Sequence, residues 1–106
     1  VLLPRVRRLL ADVHAFVELR LLGRLRTVQV RLSGPDRAEL YRLIGGAGVS
    51  PAVRLGLPAD AGPAEIQQAA IGAVRKWRAR SGHPLADQFT ARACAAAARS
   101  AEGLLG

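Results

Sequence analysis

Few side chains in this sequence are equipped for chemistry, and their spacing decides what chemistry is open to them. The run Gly45-Gly46-Ala47-Gly48-Val49-Ser50 has the glycine density of a phosphate-cradling loop. Such a loop needs Lys directly before its Ser or Thr, because the ammonium bridges the phosphates, and it follows a strand. Here Val49 stands in the Lys position and a helical pattern precedes the glycines, so the run reads as a helix stop and a turn. His14 and His83 are the two histidines. Neither lies at recognisable catalytic spacing from a Ser or Cys and a carboxylate, and no cluster has the spacing of metal ligands. His14 stands four residues before Glu18, the spacing of a solvated pair on a helix face. His83 reads as a capping or packing residue at a helix junction. No catalytic residue, metal site or cofactor is implied.

The single cysteine, Cys94, excludes an internal disulfide and a Cys-based zinc site, and points to a reducing compartment. Within an alanine-rich stretch it reads as a small buried hydrophobe. No apolar run approaches the roughly 20 residues that span a bilayer, and the first residues lack the apolar core of a secretory signal. The sequence starts at Val1 and contains no Met, which suggests a piece of a longer chain.

These residues must be positioned by helices. With 106 residues, half of them apolar, the chain suffices for one small domain with a modest core. Pro4 suits a first helical turn, after which Val6, Leu9, Leu10, Val13, Phe16 and Val17 fall on one face of a helix ending near Gly23. From Leu19 to Leu22 the other face also turns apolar, so that end is expected to be buried on more than one side. Residues 24–32 alternate like a strand but find no partner elsewhere, and read as an extended connector. Ser33 and Pro35 open a second helix that Gly45-Gly46 stops. Ser50-Pro51 starts one turn through Leu55, broken by Gly56. Gly62-Pro63 and Gly82 bracket a third long helix, and an alanine-rich fourth follows from about Ala86 to Leu104. The fold class is all-α: a small antiparallel bundle of about four main helices with one short extra turn, residues 1–106 forming a single helical domain. Ile66, Ala70, Trp77 and Phe89 are expected to face inward together.

Sixteen basic residues oppose eight acidic ones, for a net charge of +8. Arg5, Arg7, Arg8, Arg24, Arg26 and Arg31 crowd the first third and are the candidate contacts for an anionic surface. A solvated face is the first reading of them. Contact with anionic lipid or an acidic partner is the second, since a cation near a membrane surface contributes about 1 kcal/mol. Nucleic acid is the weakest, because no aromatics interleave with the arginines and no helix-turn-helix is evident.

Two resemblances follow from blocks of residues. Leu55-Gly56-Leu57, Pro63-Ala64-Glu65-Ile66, Arg75-Lys76-Trp77-Arg78 and His83-Pro84 resemble a J-domain cochaperone, but Leu85 replaces the acid of the His-Pro-Asp tripeptide and the spacing is too long. A fuller resemblance covers nearly the whole chain. Residues 10–20, Ile44-Gly45-Gly46-Ala47-Gly48, Ala52-Val53-Arg54-Leu55-Gly56-Leu57, Trp77-Arg78-Ala79-Arg80, His83-Pro84-Leu85, Phe89-Thr90-Ala91-Arg92-Ala93-Cys94 and Arg99-Ser100-Ala101-Glu102 are similar to the C-terminal region of mycobacterial isoniazid-inducible, dynamin-like GTPases of the IniC type. That resemblance implies a non-catalytic helical module of a membrane-associated GTPase, supporting assembly or coupling the GTPase head to a helical trunk. It also implies that the GTPase motifs lie outside the matching region. The partners it implies are helices of the parent GTPase or a second copy of this chain, with anionic lipid as a further contact. The location it implies is cytoplasmic, peripheral at the inner face of the plasma membrane. The alternative is a free-standing helical adaptor, J-domain-like without the His-Pro-Asp motif, binding an acidic partner through its Arg-rich face.

Overall fold

The computed structural model describes residues 4–28 and 30–105, with side chains from residue 12 onward. It contains five helices: α1 (Pro4–Arg24), α2 (Gly34–Leu43), α3 (Pro51–Leu55), α4 (Pro63–Ser81) and α5 (Gln88–Glu102). No strand occurs among the described residues.

Helix starts follow local chemistry. The Ser33 hydroxyl accepts from the Asp36 N–H at 3.3 Å, and the Ser50 hydroxyl accepts from the Val53 N–H at 3.3 Å. The Asp87 carboxylate accepts from the Thr90 N–H at 2.7 Å. Each satisfies an amide that the helix itself leaves unpaired. Proline occupies the first turn of α2, α3 and α4, where its missing N–H costs nothing. The short α3 ends at Gly56 with φ +67°, a left-handed conformation that disfavours any residue with a Cβ.

Trp77 is fully buried at the centre of the core, with Leu40, Leu43, Ile44 and Cys94. The most extensive helix contact is between α4 and α5. The buried side of α5 is mostly small: Ala93, Ala97, Ala98, Ser100 and Ala101. A thin coat of that kind lets backbones come close, so the core is filled by the large residues of α2 and α4. Thr90 and Cys94 of α5 share a cleft with Lys76 and Arg80 of α4, and Glu102 pairs with Arg78. Of the inward set expected from the sequence, Ala70 and Trp77 are buried, Phe89 packs partly buried against the core, and Ile66 is half-buried.

Two expectations are corrected. The apolar stripe of α1 does not face the core: Val13, Phe16 and Val17 are exposed, Phe16 by 59%. Val6, Leu9 and Leu10 of that stripe lie outside the described side chains. Leu19 is exposed as well, whereas Leu21 is buried and Leu22 and Leu25 pack against the core. The side of α1 that docks carries His14 and Glu18, because their polar atoms find partners there on α3 and α5, described below. The connector after α1 is not uniformly extended. It begins with turns, the Val28 N–H donating to the Arg24 carbonyl at 2.7 Å. Only its last part keeps the alternation, Val30 buried, Arg31 exposed and Leu32 partly buried.

Candidate functional site

The densest polar arrangement lies where α1 meets α3 and α5. Glu18 is 7% exposed and sits on α1. Arg54, on α3, donates through Nη1 to Glu18 Oε2 at 2.6 Å and to the Leu43 carbonyl at 2.9 Å. Its Nη2 reaches Glu18 Oε1 at 3.4 Å, and its Nε donates to the Val49 carbonyl at 3.2 Å. Ser100, on α5, donates its hydroxyl to Glu18 Oε2 at 2.5 Å, and His14 Nε2 lies 2.9 Å from the same hydroxyl oxygen. One guanidinium thus ties the end of α2, the turn before α3 and α1 together, while one carboxylate ties α1 to α3 and α5. The His14–Glu18 pair, expected to be solvated, is instead part of a clamp in which Glu18 is buried and His14 partly buried; the two side chains also approach each other at 3.6 Å.

The arrangement of Ser, His and Glu invites comparison with a nucleophile and its base. In such a set the acid orients the far ring nitrogen of the histidine, and the hydroxyl proton goes to the near one. Here Glu18 contacts the serine instead. A carboxylate held by a guanidinium is the stronger acceptor for the Ser100 proton, which assigns the hydrogen on His14 to Nε2. His14 Nδ1 is buried without a partner. Ser100 is itself buried. What this geometry performs is structural attachment. The His14 pKa lies below its ordinary value, chiefly because burial disfavours the charged ring; Arg99 and Arg54 push the same way, while Glu18 and Glu102 oppose.

The surface arginines singled out from the sequence are dispersed. The side chains of Arg5, Arg7 and Arg8 lie outside the described residues. Arg24 sits over the Phe89 ring at 5.0 Å. Arg26 borders a shallow groove with Val30 and Tyr41. Arg31 is 84% exposed at its side chain and pairs with Asp87 at 3.4 Å. Arg24 and Arg31 therefore both flank the start of α5, with Arg26 apart from them.

A third cluster had no sequence signal. Lys76 donates to Asp36 and Glu39, each at 2.9 Å. Arg80 Nη1 pairs with Asp36 at 2.7 Å, and the Trp77 indole donates to Glu39 Oε2 at 2.6 Å. Hydrogen bonding to Lys76 first, then the neighbouring cations, hold the Asp36 pKa below the usual carboxylate range, and the same bonds raise that of Lys76. This cluster borders a cleft of about 530 Å³ whose floor includes Leu32, Ala79 and Cys94. Its cations Arg31, Lys76 and Arg80 are each matched by an acid, so the rim offers no surplus charge for an anion. Burial raises the Cys94 thiol pKa, which keeps the sulfur protonated and unreactive.

The glycine run is a turn. The Gly46 N–H donates to the Tyr41 carbonyl at 2.8 Å, the Gly48 N–H to the Gly45 carbonyl at 3.3 Å, and Ser50 is occupied as the α3 cap. Those amides are turned inward rather than presented to a phosphate. His83 caps locally, its Nδ1 accepting from the Leu85 N–H at 3.1 Å. Among the described residues no group of three or more His, Cys, Asp and Glu side chains converges. No helix there is long and apolar enough to cross a membrane.

The fold and this site define a small all-α bundle whose buried polar residues join helices. Over 97 residues, 92% of its length, the chain is 50% identical to the isoniazid-induced protein IniC of Mycobacterium tuberculosis strain H37Rv, with the same figures for strain CDC 1551. The match takes in 20% of each relative, so the chain spans about a fifth of their length. It is similar to a region of an IniC-type protein, in keeping with the C-terminal placement that the sequence blocks imply. Neither a family model nor a solved structure matches the chain.

Proposed function

We propose that this chain is a non-catalytic helical module of a dynamin-like, membrane-associated GTPase, supporting assembly or coupling the GTPase head to its helical trunk. The observation that carries the reading is the extended identity to one fifth of IniC. Further support comes from the fold: the large polar residues inside this bundle are spent on holding helices together, and a helix face of apolar residues is left outward. GTP-driven movement of the head would pass through helices that pack in more than one arrangement. Arg24 at the end of α1 and Arg26 on the turn after it, both exposed, suit a peripheral contact with anionic lipid at the inner face of the plasma membrane.

The coding sequence immediately upstream of Val1 tests the reading. A GTPase head encoded in frame is expected; a stop codon with its own ribosome site would overturn it. Sedimentation with anionic vesicles at low and high salt tests the lipid contact separately. Salt-sensitive pelleting is expected, and its absence removes the membrane from the proposal.

A further inference from the structure

The groove between the turn after α1 and the outer side of α2 differs from the cleft beside Cys94 in how its charges are balanced. It has a volume of about 390 Å³. Arg26 and Val28 border it from the turn, Arg37 and Tyr41 from α2, and the buried Val30 and Leu40 lie beneath. Arg37 and Tyr41 are four residues apart, so they stand one above the other on the helix surface. No carboxylate lines this groove. Arg26 and Arg37 are both exposed, and their guanidinium groups have no hydrogen-bond or ion-pair partner among the described residues. The acids that neighbour Arg37 in sequence are committed elsewhere: Asp36 to Lys76 and Arg80, Glu39 to Lys76 and the Trp77 indole.

Two like charges brought to one groove without a counter-charge repel each other, and an anion seated between them removes that repulsion. The planar fork of a guanidinium matches the oxygens of a phosphate, with charge-assisted hydrogen bonds stronger than neutral ones. The turn itself has little left to offer. The Thr27 and Val28 N–H groups both donate to the Arg24 carbonyl, at 3.0 and 2.7 Å, and the Thr27 hydroxyl donates to the same oxygen at 3.3 Å. Holding the anion therefore falls to the two arginine side chains. Val28, half-buried, and Tyr41, 45% exposed, add apolar surface beside them, which suits a phosphate attached to an apolar group better than a bare ion.

We infer that this groove binds a phosphate group, through Arg26 and Arg37, on a carrier with a small apolar part. This deepens the lipid contact proposed above for Arg26 and rests on that reading where the carrier is a lipid. The test is calorimetric titration of the 106-residue chain with dioctanoyl phosphatidic acid below its micellar concentration and, separately, with glycerol 3-phosphate. Circular dichroism confirms that each variant is folded. Saturable one-to-one binding of the short-chain lipid is expected. Arg26→Gln or Arg37→Gln should each weaken it by about tenfold. Arg75→Gln, which removes an exposed cation of α4 that does not line the groove, should leave it unchanged. Equally tight binding of glycerol 3-phosphate would support the site with a soluble phosphate as its occupant. Binding of neither probe, or an equal loss with Arg75→Gln as diffuse charge would give, overturns the inference. Vesicle pelleting without binding of either probe in solution would overturn the groove and keep the membrane contact. Binding of glycerol 3-phosphate without vesicle pelleting would do the reverse, so the two failures are distinguishable.

Discussion

Replacing Arg54 by Met puts the clamp between α1, α3 and α5 to a quantitative test. The substitution keeps an unbranched apolar stem of similar reach and removes every donor that Glu18 and the Leu43 and Val49 carbonyls receive from it. Both partners are largely withdrawn from water, with side-chain exposures of 14% for Arg54 and 9% for Glu18, so solvent screening gives little relief. Removing one member of a buried pair leaves the other charge uncompensated and costs about 3–5 kcal/mol. A small domain has about 5–15 kcal/mol in total. At about 4–8 °C per kcal/mol for a domain near this size, the midpoint should fall by on the order of 20 °C. Adding Glu18→Gln in the same chain removes the stranded charge while leaving Ser100 an acceptor, and should recover about half of the loss. Urea unfolding followed by circular dichroism measures both steps. A loss below about 1 kcal/mol, the value for a solvated pair, would refute the argument; so would a double variant no more stable than Arg54→Met alone.

Three further outcomes follow from other sites. Because His14 has a folded pKa below its ordinary 6.5, the unfolded chain binds more protons just below that value. Stability is then fully present above pH 6.5 and declines as the pH falls through the folded value; urea midpoints between about pH 6.5 and pH 5 should show a slope that His14→Gln flattens, and equal slopes would dismiss the burial of the ring. A Cβ at Gly46 would lie 2.2 Å from Cε2 of the Tyr41 ring, so Gly46→Ala should lose about 1–3 kcal/mol, most of it regained in a Tyr41→Ser background, where no ring is in the way. Cys94, buried and with a raised thiol pKa, should resist a thiol-reactive disulfide at neutral pH until urea unfolds the chain; fast, complete labelling of the native protein would contradict its place in the core.

Much of the framework was legible because it depends on neighbours in sequence. Ser33, Ser50, Gly62 and Gly82 mark helix ends through bonds that reach no further than a turn, and the alanines of α5 declare a helix by propensity. The connector was harder, since alternation along residues 28–32 also describes a loop that happens to bury Val30 and Leu32. The interior clamp was half visible: the i,i+4 spacing of His14 and Glu18 could be read, but their burial could not. Arg54 lies 36 residues and Ser100 82 residues from Glu18, and no periodicity connects such distances.

Local chemistry in the sequence thus settled that the chain is helical, where four of its helices begin or end, that a glycine run without Lys is a turn, and that blocks of residues match an IniC-type region. Tertiary structure alone decided which way α1 faces. Apolar spacing would turn Phe16 inward, yet a buried carboxylate is tolerated only beside partners that compensate it, and those partners come from α3 and α5. Their position rotates α1, buries Glu18 and leaves Val13, Phe16 and Leu19 at the surface.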